Sequence, residues 1–165
     1  MTLYFMDTLA HGLYGAAIFG PTRDERLMFL GGAMGMLPDV IVYGVYAIQG
    51  YTIPYVPEAS LGLYHWTHSL VVIAVIALVL FIIKKKWALL ALPYALHILF
   101  DIPTHCGTFG TVPFFPLSNW STCGFNYADS LWAWEINYGI LVGIFYFIYL
   151  KWYKPYFRDA ETSSA

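Results

Sequence analysis

Eight ionisable side chains of the types that bind metal ions lie within strongly apolar segments of this sequence. They include all five histidines of the protein, and the full set is His11, Asp39, His65, His68, His97, Asp101, His105 and Glu135. Imidazole and carboxylate groups together form the ligand set of Zn²⁺ and of related first-row metals. We therefore predict a divalent metal site, with Zn²⁺ as the first choice and every member of the set except Glu135 as a candidate ligand.

Three of these residues share one predicted helix face. His97 and Asp101 are four residues apart, which places both side chains on the same side of a helix. His105 follows after another four residues and continues that face if Pro103 does not unwind the helix. We therefore treat His97 and Asp101 as principal ligands and His105 as a secondary one.

Two further segments each place a candidate ligand close to a second informative residue. His65 and His68 are three residues apart at one end of a predicted helix, and His65 is a secondary ligand because it also fits an interfacial residue beside Trp66. Asp39 follows Pro38, which we expect to interrupt its helix and to free backbone carbonyls near the site. His11, Asp39 and His68 complete the principal ligands, although a single histidine such as His11 also fits a hydrogen bond between helices.

The composition defines the elements that must position these residues. Of 165 residues, 59% are hydrophobic and 11% are charged, whereas an average soluble domain has about 25% charged residues. So little charge cannot cover a soluble globule. Eight basic residues scattered among ten acidic ones also exclude a nucleic-acid binder. We predict a single all-α polytopic membrane domain over residues 1–157 and a polar, frayed cytoplasmic tail over residues 158–165.

Five segments approach the length of about 20 apolar residues that a membrane-spanning helix needs. They are Leu3–Gly20, Leu27–Ile48, Leu61–Ile83, Trp87–Thr104 and Leu131–Tyr153. Counted at about 1.5 Å per residue from the cytoplasmic ends, the principal ligands and Glu135 lie about 14 to 24 Å deep. That is mid-depth or the outer half of a hydrocarbon core about 30 Å thick. The sequence thus predicts about five transmembrane helices around one polar metal cluster.

The basic residues predict the orientation. All of them fall between spans one and two, between spans three and four, or at and after the end of span five, and clustered basic residues mark the cytoplasmic side. The site then faces the outside or periplasm of a plasma or inner membrane. Cys106 and Cys123 share the outer loop, where a disulfide suits an oxidising compartment and two unpaired thiols remain the alternative.

The order of the short motifs resembles that of the YdjM-like family of membrane-bound, metal-dependent hydrolases, over roughly residues 5 to 120. The matching segments are Asp7-Thr-Leu-Ala-His11-Gly, Leu37-Pro38-Asp39, Thr67-His68-Ser69, His97-x3-Asp101 and Phe115-Pro116-Leu117-Ser118. Two positions depart from the family pattern: Ile41 stands where a second aspartate is usual, and the Arg of an upstream His-Arg pair is absent. These departures argue against a full second metal site of the family type.

The resemblance implies metal-assisted hydrolysis, in which a metal lowers the pKa of a water toward about 7 and polarises an ester or phosphoryl oxygen. Asp39 or Glu135 is the expected general base, although Glu135 also fits a helix cap or a headgroup contact. A looser likeness of the His-x3-Asp element to zinc-dependent phospholipase C and nuclease folds favours phosphoester chemistry. Access from the outer leaflet predicts a membrane lipid or lipid-linked substrate. A metal or proton transporter and a membrane metal oxidoreductase are the alternatives.

Overall fold

The protein is a bundle of helices joined by short turns and one long loop. The computed structural model describes residues 3–51, 57–125, 127 and 130–163. The seven α-helices in these ranges are α1 (Leu3–Phe19), α2 (Glu25–Ile48), α3 (Gly62–Thr67), α4 (Leu70–Ile83), α5 (Ala91–Thr104), α6 (Leu131–Ile148) and α7 (Lys154–Ser163). A 3-10 segment, Lys85–Leu90, leads into α5, and a π-helical turn, Tyr149–Tyr153, joins α6 to α7. The predicted all-α class is confirmed for the described residues.

Three helical stretches of the described chain are long and apolar enough to cross a membrane. They are Glu25–Ile48, Lys85–Thr104 and Leu131–Arg158. A fourth span results if Glu58–Thr67 and Leu70–Ile83, which meet at a bend of 41°, are counted as one. Helix α1 has 17 residues and packs along α2 and against α5 and α6. The described residues therefore give three or four candidate spans by length and composition, where the sequence predicts five.

The distribution of side chains is the reverse of that in a soluble protein. Large apolar residues are exposed along the outside of the bundle, among them Ile82, Leu131 and Val142, each at least 70% exposed. Only 22–33% of each long apolar span is buried within the protein. Three histidines and two aspartates of the described chain are buried in the interior among apolar residues such as Val42 and Ile98. An apolar exterior around a polar interior is the arrangement expected in lipid, where ionisable groups face the inside of the bundle.

Helices α1 and α2 approach each other closely because glycines face each other across the interface. A Cβ atom added at Gly35 would overlap the carbonyl of His11, and one added at Gly15 would overlap the carbonyl of Gly31. Small residues at such positions let two membrane helices approach to backbone contact. This contact places His11 on α1 beside Asp39 on α2.

The predicted interruption of α2 at Pro38 is wrong. Helix α2 continues for 24 residues from Glu25 to Ile48 with Pro38 inside it. Asp24 caps its start by accepting hydrogen bonds from the backbone N–H groups of Arg26 and Leu27. A proline removes one helical hydrogen bond, and the fully buried Pro38 packs in a bundle that holds the helix together. The backbone near Pro38 still contributes to the site, because the Gly35 carbonyl forms a hydrogen bond with the His97 ring.

Helix α3 ends at Thr67 with His68 as its C-cap, and α4 begins immediately after Ser69. The Ser69 hydroxyl caps α4 by accepting hydrogen bonds from the N–H groups of Val71 and Val72, which satisfies two donors that a helix start leaves free. Ser69 also donates to the carbonyl of Phe115 in the long loop. The break therefore turns His68 inward, and Ser69 acts as a helix cap.

The long loop is fastened to the end of α5. Cys106 and Cys123 form a disulfide, which resolves the alternative that the sequence leaves open. The N–H of Gly124 donates to the carbonyl of His105, and a Cβ at Gly124 would overlap the carbonyl of Pro103. The loop thus holds the residue that follows α5 in place.

The C-terminal segment differs from the frayed tail that the sequence predicts. Helix α7 runs from Lys154 to Ser163, and residues 164–165 of the predicted tail lie outside the described residues. The helix continues because the π-helical turn after α6 carries the chain on without a break. The guanidinium of Arg23 lies 4.7 Å from the ring centre of Tyr156, so the turn after α1 and helix α7 share one end of the bundle.

Candidate metal centre

Five of the predicted ligands meet in the interior of the bundle. His11, Asp39, His68, His97 and Asp101 come from four different helical segments, and each is at most 6% exposed. They are the five principal ligands that the sequence predicts. Groups of three that could hold a metal ion are His11, Asp39 and His97, and His68, His97 and Asp101.

Four atoms form the tightest part of this cluster, which we call the inner set: Nε2 of His68, Nε2 of His97, Oδ1 of Asp39 and Oδ2 of Asp101. The two histidine nitrogens are 3.2 Å apart. His68 Nε2 lies 3.4 Å from each carboxylate oxygen. His97 Nε2 lies 3.7 Å from Asp39 Oδ1 and 3.1 Å from Asp101 Oδ2. These separations are those of hydrogen bonds or ion pairs, and also those of ligands around one metal ion.

These separations match the edges of a zinc coordination tetrahedron. Zinc ligands of the N and O type lie about 2.0–2.1 Å from the ion. The edge of a tetrahedron is about 1.63 times that radius, or about 3.3–3.4 Å. The five edges of the inner set given above range from 3.1 to 3.7 Å. Five of the six edges of such a tetrahedron are therefore matched, and His68, His97 and Asp101 form a group of three that could hold the ion, with Oδ1 of Asp39 beside it.

The hydrogen bonds on the far side of each imidazole assign its proton. His97 Nδ1 lies 2.7 Å from the carbonyl of Gly35, and His68 Nδ1 lies 3.1 Å from the carbonyl of Tyr64. A carbonyl only accepts hydrogen bonds, so Nδ1 of each ring is the donor. In the neutral ring the lone pair of Nε2 then points into the inner set, which is the orientation that metal-bound histidines adopt.

This assignment leaves the inner set rich in acceptors. Two imidazole lone pairs and two carboxylate oxygens face one another inside the bundle, and buried groups of this kind need a donor or a cation. A divalent ion with two neutral imidazoles and two carboxylates gives zero net charge.

Several neighbours hold the inner set in place, and the sequence argument missed them. Thr8 donates a 2.6 Å hydrogen bond to Oδ2 of Asp39, which leaves Oδ1 facing the histidines. The Tyr64 ring stacks on His68 at 4.0 Å, and the Tyr94 hydroxyl donates to the carbonyl of Thr67. Thr8 and Tyr94 lie three residues before His11 and His97, and Tyr64 lies four before His68, so helical spacing could have pointed to all three.

The second oxygen of Asp101 faces a different pair of histidines. Asp101 Oδ1 lies 3.2 Å from His11 Nε2 and 3.4 Å from His105 Nδ1. The secondary candidate His105 is therefore brought to the edge of the cluster, where its side chain is 22% exposed. Asp101 thus contacts four histidines, two through each oxygen.

Two predicted site residues are not brought into the cluster. His65 is half-buried on α3, and its ring lies 5.7 Å from the ring of Phe115 beside an outer cavity that it lines with Glu58 and Asn119. His65 and His68 are three positions apart, but only His68 lies at the helix break, which turns its side chain toward the interior. Glu135 is exposed on α6, so it does not join the buried carboxylates.

A partly enclosed cavity of about 110 Å³ borders the cluster on the side of His11. It lies between α1, α5 and α6, and Tyr14, Phe100 and Asn137 are among its lining residues. The Tyr14 hydroxyl donates to Oδ1 of Asn137 at 2.7 Å, and Nδ2 of Asn137 donates to the Tyr127 hydroxyl at 2.9 Å. This volume accommodates several water molecules or one small polar group.

A comparison with family models agrees with the motif order. The model described as YdjM inner membrane protein matches residues 6–157, which is most of the chain. The match covers every residue of the buried cluster and extends beyond the segments that carry the resemblance in the sequence. No curated protein and no solved structure matches the chain.

Proposed function

The chain belongs to the YdjM inner membrane protein family, and from that membership and the geometry of the buried cluster we propose that it is a membrane-embedded, metal-dependent hydrolase. The observation that supports the proposal is the inner set, in which two imidazole nitrogens 3.2 Å apart lie within 3.1–3.7 Å of two carboxylate oxygens. The proposed metal is Zn²⁺, because N and O ligands at tetrahedral spacing suit it.

A divalent ion held by His68, His97 and Asp101 would polarise an ester or phosphoryl oxygen and would make a water easier to deprotonate. We propose Asp39 as the general base, because it is less engaged by histidines than Asp101. Its Oδ1 lies 3.4 and 3.7 Å from histidine nitrogens, whereas Asp101 has four such contacts at 3.1–3.4 Å. Glu135 is exposed and has no role in this proposal.

The proton balance of the reaction is simple. Water adds across the scissile bond, so that its oxygen joins the acyl or phosphoryl centre. Asp39 takes the proton that this oxygen loses and returns it to the oxygen of the departing alcohol. Thr8, which holds the other oxygen of Asp39, keeps the carboxylate oriented during both transfers.

We propose five membrane spans, with α1 and the α3–α4 pair each counted as one, and a centre that opens toward the outer face. The one-sided distribution of the basic residues supports this orientation. The proposed substrate is a lipid or lipid-linked ester or phosphoester, because the bundle exposes apolar side chains around its polar interior. Single cysteines at Ser60 and Thr22 test the orientation in intact cells. An impermeant thiol reagent should label the first position and spare the second, and the opposite result contradicts the proposal.

The hydrolysis itself is tested with the full chain in vesicles of phosphatidylethanolamine and phosphatidylglycerol that carry a labelled headgroup. We expect release of the label that stops with a chelator, returns with Zn²⁺ and is lost in Asp39→Asn. Glu135→Gln is the matched carboxylate control and should keep the activity of the wild type. Hydrolysis that is unaffected by chelation and by Asp39→Asn contradicts the proposal, as does zinc uptake into the vesicles without hydrolysis.

A further inference from the structure

A second set of ligand atoms lies next to the inner set and shares one carboxylate with it. We propose that His11 Nε2, Asp101 Oδ1 and His105 Nδ1 bind a second divalent ion, so that Asp101 bridges two metals. We call these three atoms the outer set. The proposal rests on the metal binding proposed above, and it goes beyond that function by adding a second ion and by selecting the substrate class.

The contacts of Asp101 support this division. Oδ2 lies 3.1 and 3.4 Å from the two histidines of the inner set, and Oδ1 lies 3.2 and 3.4 Å from the two histidines of the outer set. Oδ1 is buried in the interior of the bundle. Each oxygen thus has two imidazole nitrogens at 3.1–3.4 Å.

The chemistry of coordination leaves a position for a reactant at each set. Zinc sites with four protein ligands are closed, whereas sites with three protein ligands keep such a position. With Asp39 acting as the base, the inner ion has three protein ligands, and the outer set likewise supplies three. The outer set also borders the cavity of about 110 Å³, which His11 and Thr104 help to line. A reactant therefore has room beside the outer set.

His105 has the features of a ligand that is held but exchangeable. The Gly124 N–H bonds its backbone carbonyl at 2.9 Å, and the disulfide of the neighbouring Cys106 closes the same loop. Its side chain is 22% exposed, against 2% for Asp101. When Nδ1 is the ligand, the ring proton lies on Nε2, where a partly exposed ring can bond water. We therefore expect the outer ion to bind more weakly than the inner one.

The charge of the two sets together selects the substrate. Two divalent ions carry four positive charges, while Asp39 and Asp101 carry two negative ones and the histidines are neutral as ligands. The remaining two positive charges lie inside the bundle and need an anion. A phosphoester meets this need, whereas a neutral carboxylic ester does not. Paired metals about 3.5–4 Å apart are the usual arrangement for displacement at phosphorus.

The stoichiometry of the purified full chain tests the proposal. After equilibrium dialysis against Zn²⁺ we expect about two equivalents per chain in the wild type and about one in His105→Ala. His65→Ala is the matched control, because His65 is also a half-buried histidine at the same end of the bundle but contacts neither set; it should keep two. Retention of one ion shows that His105→Ala is folded, and His11→Ala should behave in the same way.

Spectroscopy distinguishes a bridged pair from two separate sites. With Mn²⁺ in place of zinc, the wild type should give the electron paramagnetic resonance spectrum of a spin-coupled pair, and His105→Ala that of an isolated ion. Inorganic phosphate should bind the fully loaded wild type and should bind His105→Ala at least tenfold more weakly. Two equivalents with no spin coupling, or two equivalents retained in His105→Ala, overturn the proposal.

The outcomes also separate this proposal from the proposed function. A wild type that holds one ion, unchanged in His105→Ala, overturns the outer site and leaves the inner site and its hydrolase role standing. A wild type that holds no ion overturns both. In either case the His105–Asp101–His11 series is better explained as a hydrogen-bonded path for protons.

Discussion

Replacing Asp101 with asparagine should abolish tight zinc binding. The two side chains have the same shape, so the change tests charge and lone pairs more than packing. Each Asp101 oxygen faces two histidine nitrogens, and the asparagine amide must present its NH₂ group to one of these pairs. Whichever way the amide turns, one set of ligands loses an acceptor and meets a donor instead.

The magnitude follows from the position of Asp101. Residues that only support a metal ligand change metal affinity by about 10- to 100-fold when they are replaced. Asp101 belongs to the inner set itself, so we expect a loss of at least about 100-fold, which equals about 2.7 kcal/mol at about 1.36 kcal/mol for each factor of ten. Competition with a fluorescent zinc chelator of known affinity measures this loss in detergent-solubilised protein.

The control for this experiment is Glu135→Gln, which makes the same chemical change at an exposed carboxylate. It should bind zinc as the wild type does. Circular dichroism and gel filtration check that both variants are folded. Asp101→Asn that binds zinc within about threefold of the wild type would refute the assignment of this carboxylate as a ligand.

Three further predictions concern the elements that hold the site. Replacing Cys106 and Cys123 with serine removes a cross-link across 17 residues and should lower the free energy of unfolding by about 3 kcal/mol, measured by denaturation with and without reductant. Gly35→Ala forces a methyl group against the backbone of α1 and should cost about 1–3 kcal/mol in the same assay, whereas Gly44→Ala on the same helix meets open space and should be neutral. Ser69→Ala removes the cap of α4 and should cost about 1 kcal/mol; a stability unchanged by it would contradict the capping role.

The residues that meet in the buried cluster could be predicted because three constraints on the sequence agree. Ionisable residues within apolar segments must face the interior, and His97 and Asp101 share a helix face by their spacing. Helices that alternate in direction bring His68 and Asp101 to one depth. Each argument concerns one helix or one membrane depth, and none needs knowledge of how distant parts of the chain pack.

The roles of His65 and His105 could not be separated in this way. Both stand a few residues from a principal ligand, and helix periodicity alone ranks them equally. His65 is excluded by the helix break at Ser69, which turns His68 inward. His105 is included because a loop that closes through Cys123 fastens it to the end of α5. Long-range contacts of this kind leave no periodic signal.

The hydrogen bonds that support the cluster could not be predicted from the sequence either. The bond from His97 to the Gly35 carbonyl joins residues 62 positions apart, and it assigns the ring proton on which the argument for a metal depends. The interruption expected at Pro38 failed for a related reason, since the propensity of one residue yields to the packing of the whole bundle.

X-ray absorption at the zinc edge tests the central claim most directly. The full chain, loaded with zinc and dialysed until about one equivalent remains, should give a first shell of nitrogen and oxygen atoms at about 2.0–2.1 Å. Outer-shell scattering from two imidazole rings should accompany it, and both signals should disappear in His97→Ala. A chain that retains no stoichiometric zinc, or a shell of oxygen without imidazole scattering, would contradict a metal centre built on His68 and His97.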